Sequence, residues 1–352
     1  TAPNTVMFVG HIIQASARRA IRKKALEIAD NAVKKEVDTD INDYLGKVEA
    51  DFRDIAIDYQ VEQEVRKIGD GIGDRLKQRL LNPTDVICLK TGLKAFDQAS
   101  LGLVKGELTI VGARSKVGKS TVLLNWSEKI AIQDNVPILY VDTEMYTEEQ
   151  EDKLLSMLSG VPHKEIRNGM FGKDTINGRA REKIAKVQKA SALLKSSNFH
   201  HVYLPNFTPE KVSALARKYQ IEHGIQLLIF DYIKLPSSNA NLGDREYQAL
   251  GYLTSSLKDL AGILQIPIIS AVQLNRGAVG KEDIDEGDIG GSDRILMLAN
   301  RVCFLRKTTE EEYAMTGATH MFKIGAQRMG DDLGWTPVFS NGVDWKMSME
   351  EM

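Results

Sequence analysis

LTIVGARSKVGKST, residues 108–121, is an apolar run that passes directly into a loop of small and basic residues. Residues 113–120 read A-x-x-x-x-G-K-S, the phosphate-binding loop with Ala in place of its first glycine. LTIVG before it has the composition of a buried strand, and TVLLNWSEKIAI after it that of a helix. In that setting Gly118 lets the backbone approach phosphate closely. Lys119 reaches the β and γ phosphates, and the Ser120 hydroxyl ligates Mg²⁺ at the positive end of the helix. The stretch Ala113, Arg114, Ser115, Lys116, Val117, Gly118, Lys119, Ser120 and Thr121 is therefore expected to bind ATP, with Mg²⁺ as its companion ion.

Outward from this loop, strand-like runs recur: PILYVD (137–142), HVYLP (around 201), LLIFD (227–231), IPIISAVQ (266–273), RVCFLR (301–306) and MFKIGA (321–326). Helical segments such as YQALGYLTSSLKDLAGIL separate several of them. Alternation of this kind predicts an α/β fold, a mostly parallel sheet flanked by helices on both faces. Ligands of such sheets sit beyond the carboxyl ends of the strands.

Candidate chemistry lies at those ends. Asp231 closes LLIFD, where a carboxylate can hold magnesium. Asp142 and Glu144 follow PILYV; Glu144, beyond the strand, is favoured to orient or deprotonate an attacking water, while Asp142 is equally suited to cap the next helix. Gln273 ends IPIISAVQ and reads either as a neutral reporter of the γ phosphate or as a structural amide. The loop from Asn275 to about Arg294 is glycine-rich and acidic, and long enough to suit a functional segment. Arg328, in KIGAQRMGDD, is placed to pair with Asp331 or Asp332, or to complete a neighbouring subunit's site as an arginine finger. His200 and His201 have no Cys or acidic partner at ligand spacing and read as strand-edge residues.

The 352 residues, 43% of them hydrophobic, suffice for two or three globular domains. A net charge of -2 announces no nucleic-acid or membrane partner, so an anionic partner must be met by a local basic surface. Cys88 and Cys303 lie far apart in apolar surroundings, which fits buried thiols in a reducing, cytoplasmic compartment rather than a disulfide or a zinc site. TVMFVGHII, near the N-terminus, is too short to span a bilayer and lacks a preceding basic region. The chain opens with Thr1 directly into this apolar stretch, which raises the expectation of residues upstream. From Val9 to about Tyr59 the pattern predicts two or three helices, broken near VDTD. EVRKIGDGIGDRLKQRLL, residues 64–81, sets Val65, Ile68, Ile72, Leu76 and Leu80 at helical spacing but contains three glycines, a marginal helix that needs another surface or folds back on its own domain.

VGARSKVGKS, ILYVDTEM, LLIFDYIKL, IPIISAVQLNR and KIGAQRMG, in this order and at this spacing, resemble the motifs of the hexameric replicative DNA helicases of bacteria and their phages, the DnaB-type family with a RecA-like motor domain. The resemblance runs from about Phe8 to Trp345. It implies a helical remnant of an N-terminal collar domain over 1–62, a linker helix over 63–82 and a RecA-like ATPase motor over 83–352, with the first part of the collar absent. It implies catalytic roles for Lys119, Glu144, Gln273 and Arg328, metal-holding roles for Ser120 and Asp231, and a linker stripe that packs on the adjacent motor domain. It also implies single-stranded DNA in a central pore, held by the loops after Asp231 and Gln273, in a homo-oligomeric ring of six subunits served by primase and a loader.

Two departures stand out. The family often has Gly-Lys-Gln-Arg where this chain has Gly325-Ala326-Gln327-Arg328, which removes a basic group unless Lys323 or another residue replaces it. Gly290 and Gly291 stand where the pore loop often carries Arg-Glu, leaving DNA contact to backbone N–H groups, Arg276, Lys281 or Arg294. The expected activity is ATP-driven 5′ to 3′ translocation on single-stranded DNA that opens a duplex by excluding one strand. The rivals are a nucleotide-gated strand-exchange protein and a regulatory RecA-like ATPase without DNA.

Overall fold

The computed structural model describes residues 2–33, 41–59, 67–173, 179–234, 246–275, 283, 284, 288 and 293–350. The chain divides into two units, Thr1–Pro83 and Thr84–Met352. In the first, α1 (Ala2–Val33) and α2 (Ile41–Tyr59) pack together, with the Tyr44 hydroxyl donating to the Ile28 carbonyl at 3.0 Å and Lys24 paired with Asp51 at 3.2 Å. The break expected near VDTD falls on residues 34–40, outside the described residues, and α2 begins at Ile41.

The linker helix is shorter than its apolar spacing predicts. α3 spans Ile72–Leu81, because Gly69 and Gly71 adopt positive φ (104° and 69°) and turn the chain ahead of it. Ile68 lies in that turn and is 99% exposed; Ile72, Leu76 and Leu80 follow along the helix, also exposed.

The second unit is an eight-stranded sheet in the order β3-β2-β4-β5-β1-β6-β7-β8. In chain order it comprises α4 (Lys94–Ser100), β1 (Leu108–Ala113), α5 (Lys119–Glu128), β2 (Ile138–Asp142), α6 (Thr147–Ser159), α7 (His163–Arg167), α8 (Arg179–Ser196), β3 (Phe199–Tyr203), α9 (Pro209–His223) and β4 (Leu227–Asp231). After these come α10 (Glu246–Leu264), β5 (Ile268–Gln273), α11 (Asp293–Leu298), β6 (Arg301–Lys307), α12 (Glu310–Thr316), β7 (His320–Gln327) and β8 (Thr336–Val338). The pairings from β3 through β6 are parallel, and β7 and β8 are antiparallel. α5 runs on into a π-helical turn, Lys129–Gln133. No described helix is long and apolar enough to cross a membrane.

The strands read as continuous apolar runs because helices cover both faces. Leu108, Ile110, Leu139, Val141, Leu228 and Phe230 enter one core, and Val111, Ala113, Ile138, Tyr140, Leu227 and Ile229 the other. In the second core Phe96 stacks on Trp126 at 4.9 Å and meets Phe322 edge-on at 5.7 Å, joining α4, α5 and β7. Cys303 is buried as expected, but Cys88 is only half-buried, since it precedes the sheet on a segment joined to it by an isolated bridge at Leu89 and Leu103.

Removing the central ring of the aromatic group is expected to be costly. Phe96→Ala should destabilise the motor unit by about 3–5 kcal/mol, read as a fall in the denaturant midpoint with an unchanged slope.

Candidate functional site

The pairing register gathers the expected chemistry at one edge of the sheet. Ala113 lies opposite Gln273 in β5, and Asp142 lies opposite Asp231 in β4. The β1 and β2 ends are three strand spacings apart, about 14 Å, and the Asp231 and Gln273 strand ends lie between them.

After β1 the loop turns through Lys116 at φ 63° and Gly118 at φ 114°. The second value belongs to glycine, and a Cβ there would also stand 2.9 Å from the Met347 Cε. Gly118 caps α5, so the N–H groups of 119–121 face the loop without carbonyl partners in the helix, a positive pole for anions. Lys119 is largely buried, with its ammonium 4.6 Å from the Tyr232 ring centre. Burial lowers its pKa, against the opposing pull of Asp231 and Glu144. Arg114 is drawn aside: its Nη1 donates to the Leu274 carbonyl at 2.6 Å.

Asp231 is buried at the end of β4. Its Oδ2 accepts from the Tyr140 hydroxyl at 2.8 Å, and its Oδ1 has no hydrogen-bond partner among the described residues. Burial and the Asp142 charge push it up to about 6, against the Tyr140 and Ser120 hydroxyls and Lys119. An orphaned, buried carboxylate oxygen beside a serine hydroxyl at a helix N-terminus is an oxygen donor set of the kind hard cations take.

Asp142 occupies a different environment one strand away. Its Oδ1 accepts from the backbone N–H of Glu144 (2.8 Å) and Met145 (2.7 Å), and its Oδ2 from Gln150 Nε2 at 2.7 Å. Burial works to raise it, but these donors and His201 outweigh burial and hold it below the ordinary carboxylate range. It therefore caps the turn that presents Glu144, whereas α6 begins after Tyr146 without a side-chain cap. His201, read from the sequence as lacking an acidic partner, has one: its Nε2 stands 4.0 Å from Asp142 Oδ2, and its Nδ1 is 2.9 Å from the Thr147 hydroxyl.

Glu144 points outward and pairs with Lys234 at 3.2 Å, which also donates to the Thr143 carbonyl. Lys234 lies 5.5 Å from the Tyr232 ring centre, so Tyr232 stands between Lys119 and the Glu144 pair. Burial, followed by Glu144, pushes the Tyr232 hydroxyl up to about 12. Gln273 is exposed at the tip of β5.

Arg328 is not among these groups. β7 runs antiparallel to β6, with Gln327 opposite Arg301, so Arg328 follows at the opposite edge of the sheet, about 20 Å away across the seven residues of β6. There its N–H donates to the Asn300 carbonyl at 2.9 Å and its Nη2 to the Met297 carbonyl at 2.9 Å. Lys323 is engaged with Asp283 at 2.6 Å. Of the expected DNA contacts, Arg276, Lys281, Gly290 and Gly291 lie outside the described residues, and Arg294 is described only by its place on α11.

Sequence reasoning did not find Tyr140, Tyr232, Lys234 or Gln150. A tyrosine inside the buried run PILYVD, and a lysine directly after LLIFDYI, were the available signals.

Residues 88–341 match the family model of the DnaB-like helicase C-terminal domain. The chain is 26% identical to the replicative DNA helicase DnaB of Treponema pallidum over 313 residues, 88% of this chain and 69% of that one, so it spans about two thirds of that relative's length. Its fold is that of a solved phage helicase ATPase domain (TM-score 0.69, 17% identity, 80% of this chain and 98% of that one). It is likewise that of a DnaB-like replicative helicase solved for its interactions with primase (TM-score 0.66, 15% identity, 97% and 78%). With its phosphate loop, strand-end carboxylates and RecA-like sheet inside that match, the chain belongs to the DnaB-like helicase C-terminal domain family, the motor of ATP-hydrolysing replicative DNA helicases.

Proposed function

We propose that this chain is one subunit of a cytoplasmic, ring-forming helicase that hydrolyses ATP to move 5′ to 3′ along single-stranded DNA and exclude the opposing strand. The observation that carries the reading is the division of the site: Lys119, Asp231, Glu144 and Gln273 share one edge of the sheet, while Arg328 stands at the other. A phosphate loop at one edge and an arginine at the opposite edge suit a motor whose subunits complete one another around a ring of six.

In this reading the 119–121 N–H groups and Lys119 hold the phosphates, and Ser120 with Asp231 holds Mg²⁺. The ion neutralises charge on the β and γ oxygens when bound. Glu144 leaves Lys234 to take a proton from the attacking water, its backbone fixed meanwhile by Asp142. Gln273 meets the γ phosphate, and Arg328 of the adjoining subunit stabilises the charge that develops during transfer. The 1–62 helices serve as the remnant of a collar and 63–82 as the linker, its stripe of Ile68, Ile72, Leu76 and Leu80 packed on the next motor domain. DNA contact falls to the loops after Asp231 and Gln273, including Arg276, Lys281, Gly290, Gly291 and Arg294. A few phosphate contacts per subunit, repeated around a ring, suffice at a net charge of -2. Primase and a loader are the proposed partners; the primase contact of the structurally similar helicase supports the first.

Glu144→Gln should lower kcat for ATP by about 10²–10⁴ while nucleotide affinity changes little, and forked-duplex unwinding should fall with it. Normal hydrolysis by wild type without any strand separation would sink the helicase reading. Arg328→Ala should lower kcat by about 10³, and mixing it with Lys119→Ala subunits should restore part of the activity through junctions that pair an intact loop with an intact arginine. Full hydrolysis by an assembled Arg328→Ala ring would remove Arg328 from the site. Folding raises Asp231 from 3.8 to about 6, so the bound proton must leave before a cation is held. Mg²⁺-dependent nucleotide affinity should be level above that value and fall about ten-fold per pH unit below it, as titration calorimetry can read; Asp231→Asn should abolish this slope.

A further inference from the structure

The loop that follows Gln273 touches β7 through a small charged and aromatic group that none of the roles above uses. Ile284 is 2% exposed and sits in the core, whereas Asp283, beside it, leaves 82% of its side chain in solvent. The Asp283 carboxylate accepts from Lys323 Nζ at 2.6 Å and from Trp335 Nε1 at 3.3 Å. Lys323 is mostly buried, with its ammonium 4.7 Å from the Trp335 ring centre and 5.7 Å from that of Phe304. The Arg306 guanidinium lies 4.5 Å from the same Trp335 ring and is itself fixed by two 2.6 Å bonds to Glu312. The lysine is thus mounted on a rigid aromatic and cationic base, and only its carboxylate partner belongs to the loop.

The two ends of this ion pair differ in a way that suits a contact made to open. When Asp283 swings away it returns to water, where a carboxylate loses little. Lys323 left behind keeps two aromatic faces against its charge, so release does not strand an unpartnered ammonium. Ile284 meanwhile holds the chain in place, so that opening does not detach the segment from the sheet.

We infer that Asp283 and Lys323 form a latch that couples the loop after Gln273 to β7, the strand directly followed by Arg328. The inference rests on the reading of that loop as a DNA contact. A loop drawn toward DNA would release or tighten the latch and so reach, through β7, the arginine that serves the neighbouring site. Asp283 and Lys323 are positioning residues; neither touches nucleotide.

The test uses the full chain and a single-stranded oligonucleotide, with ATP hydrolysis measured in its absence and at saturation, oligonucleotide binding by anisotropy, and the thermal midpoint. Asp283→Ala and Lys323→Met should keep DNA-free hydrolysis within about two-fold of wild type, as an exposed partner's loss allows. Stimulation by the oligonucleotide should fall about five-fold or more, and Lys323→Arg, which keeps charge and ring contact, should retain it. Wild-type stimulation in Asp283→Ala overturns the latch, as does a fall in DNA-free and DNA-stimulated rates in equal proportion together with the thermal midpoint, the mark of a merely structural pair. If wild type neither binds the oligonucleotide nor responds to it, the DNA reading of the loop fails first and the latch has nothing to transmit; if wild type responds and the variants respond equally, the latch alone fails.

Discussion

The site depends on one pairing: β2 and β4 run parallel in a register that sets Asp142 opposite Asp231. Two buried carboxylates at neighbouring strand ends repel, and the surrounding donors resolve the conflict unequally. Asp142 takes the N–H groups of Glu144 and Met145 and the Gln150 amide, and stays ionised. Asp231 receives one tyrosine hydroxyl, keeps one oxygen empty, and is pushed up to about 6. Environments that drive two like groups apart assign them different work: the first shapes the turn that presents Glu144, and the second is left wanting a cation. A slip of one residue in the register would exchange core and solvent faces along the strand and dissolve both roles at once.

The reversal of β7 has the opposite consequence, separation rather than convergence. Because the strand returns toward the start of β6, whatever follows it emerges far from the phosphate loop. That remote edge is unusually rigid. Arg301 is buried there, its Nε donating to Gln327 at 2.9 Å and its Nη2 to the Ser100 carbonyl at 2.9 Å, with Glu107 3.5 Å away. A buried guanidinium with this many partners is costly to disturb. It fixes the residue immediately before Arg328, a mount that suits a side chain required to meet a neighbour's reacting phosphate.

How far the sequence speaks for itself varies with the distance over which each signal acts. The phosphate loop, the strand-end Asp231 and Glu144 and the alternation of strands with helices are local patterns, and seven of the eight described strands lie where the apolar runs stand. β8, only Thr336–Val338 and containing a proline, carries too little apolar signal. Contacts that depend on register stayed hidden: His201 faces Asp142 because β3 pairs with β2, and Tyr140 reaches Asp231 across a strand, neither of which spacing along the chain encodes. At α3 the apolar period was read correctly but the backbone overruled it, since Gly69 and Gly71 turn where the period would have continued a helix.

That short helix bears on assembly through its own marginal stability. An isolated helix of ten residues is poorly stable in water, and α3 presents Ile72, Leu76 and Leu80 to solvent rather than to a core. Covering each such side chain is worth about 1.5–3 kcal/mol, of the same order as the deficit in helix formation. In the proposed ring, the surface that covers the stripe therefore stabilises the helix as it binds it, and ordering of the linker and closure of the ring become one equilibrium. A motor built this way holds its neighbours twice, by an apolar stripe whose order depends on contact and by an arginine whose rigidity does not.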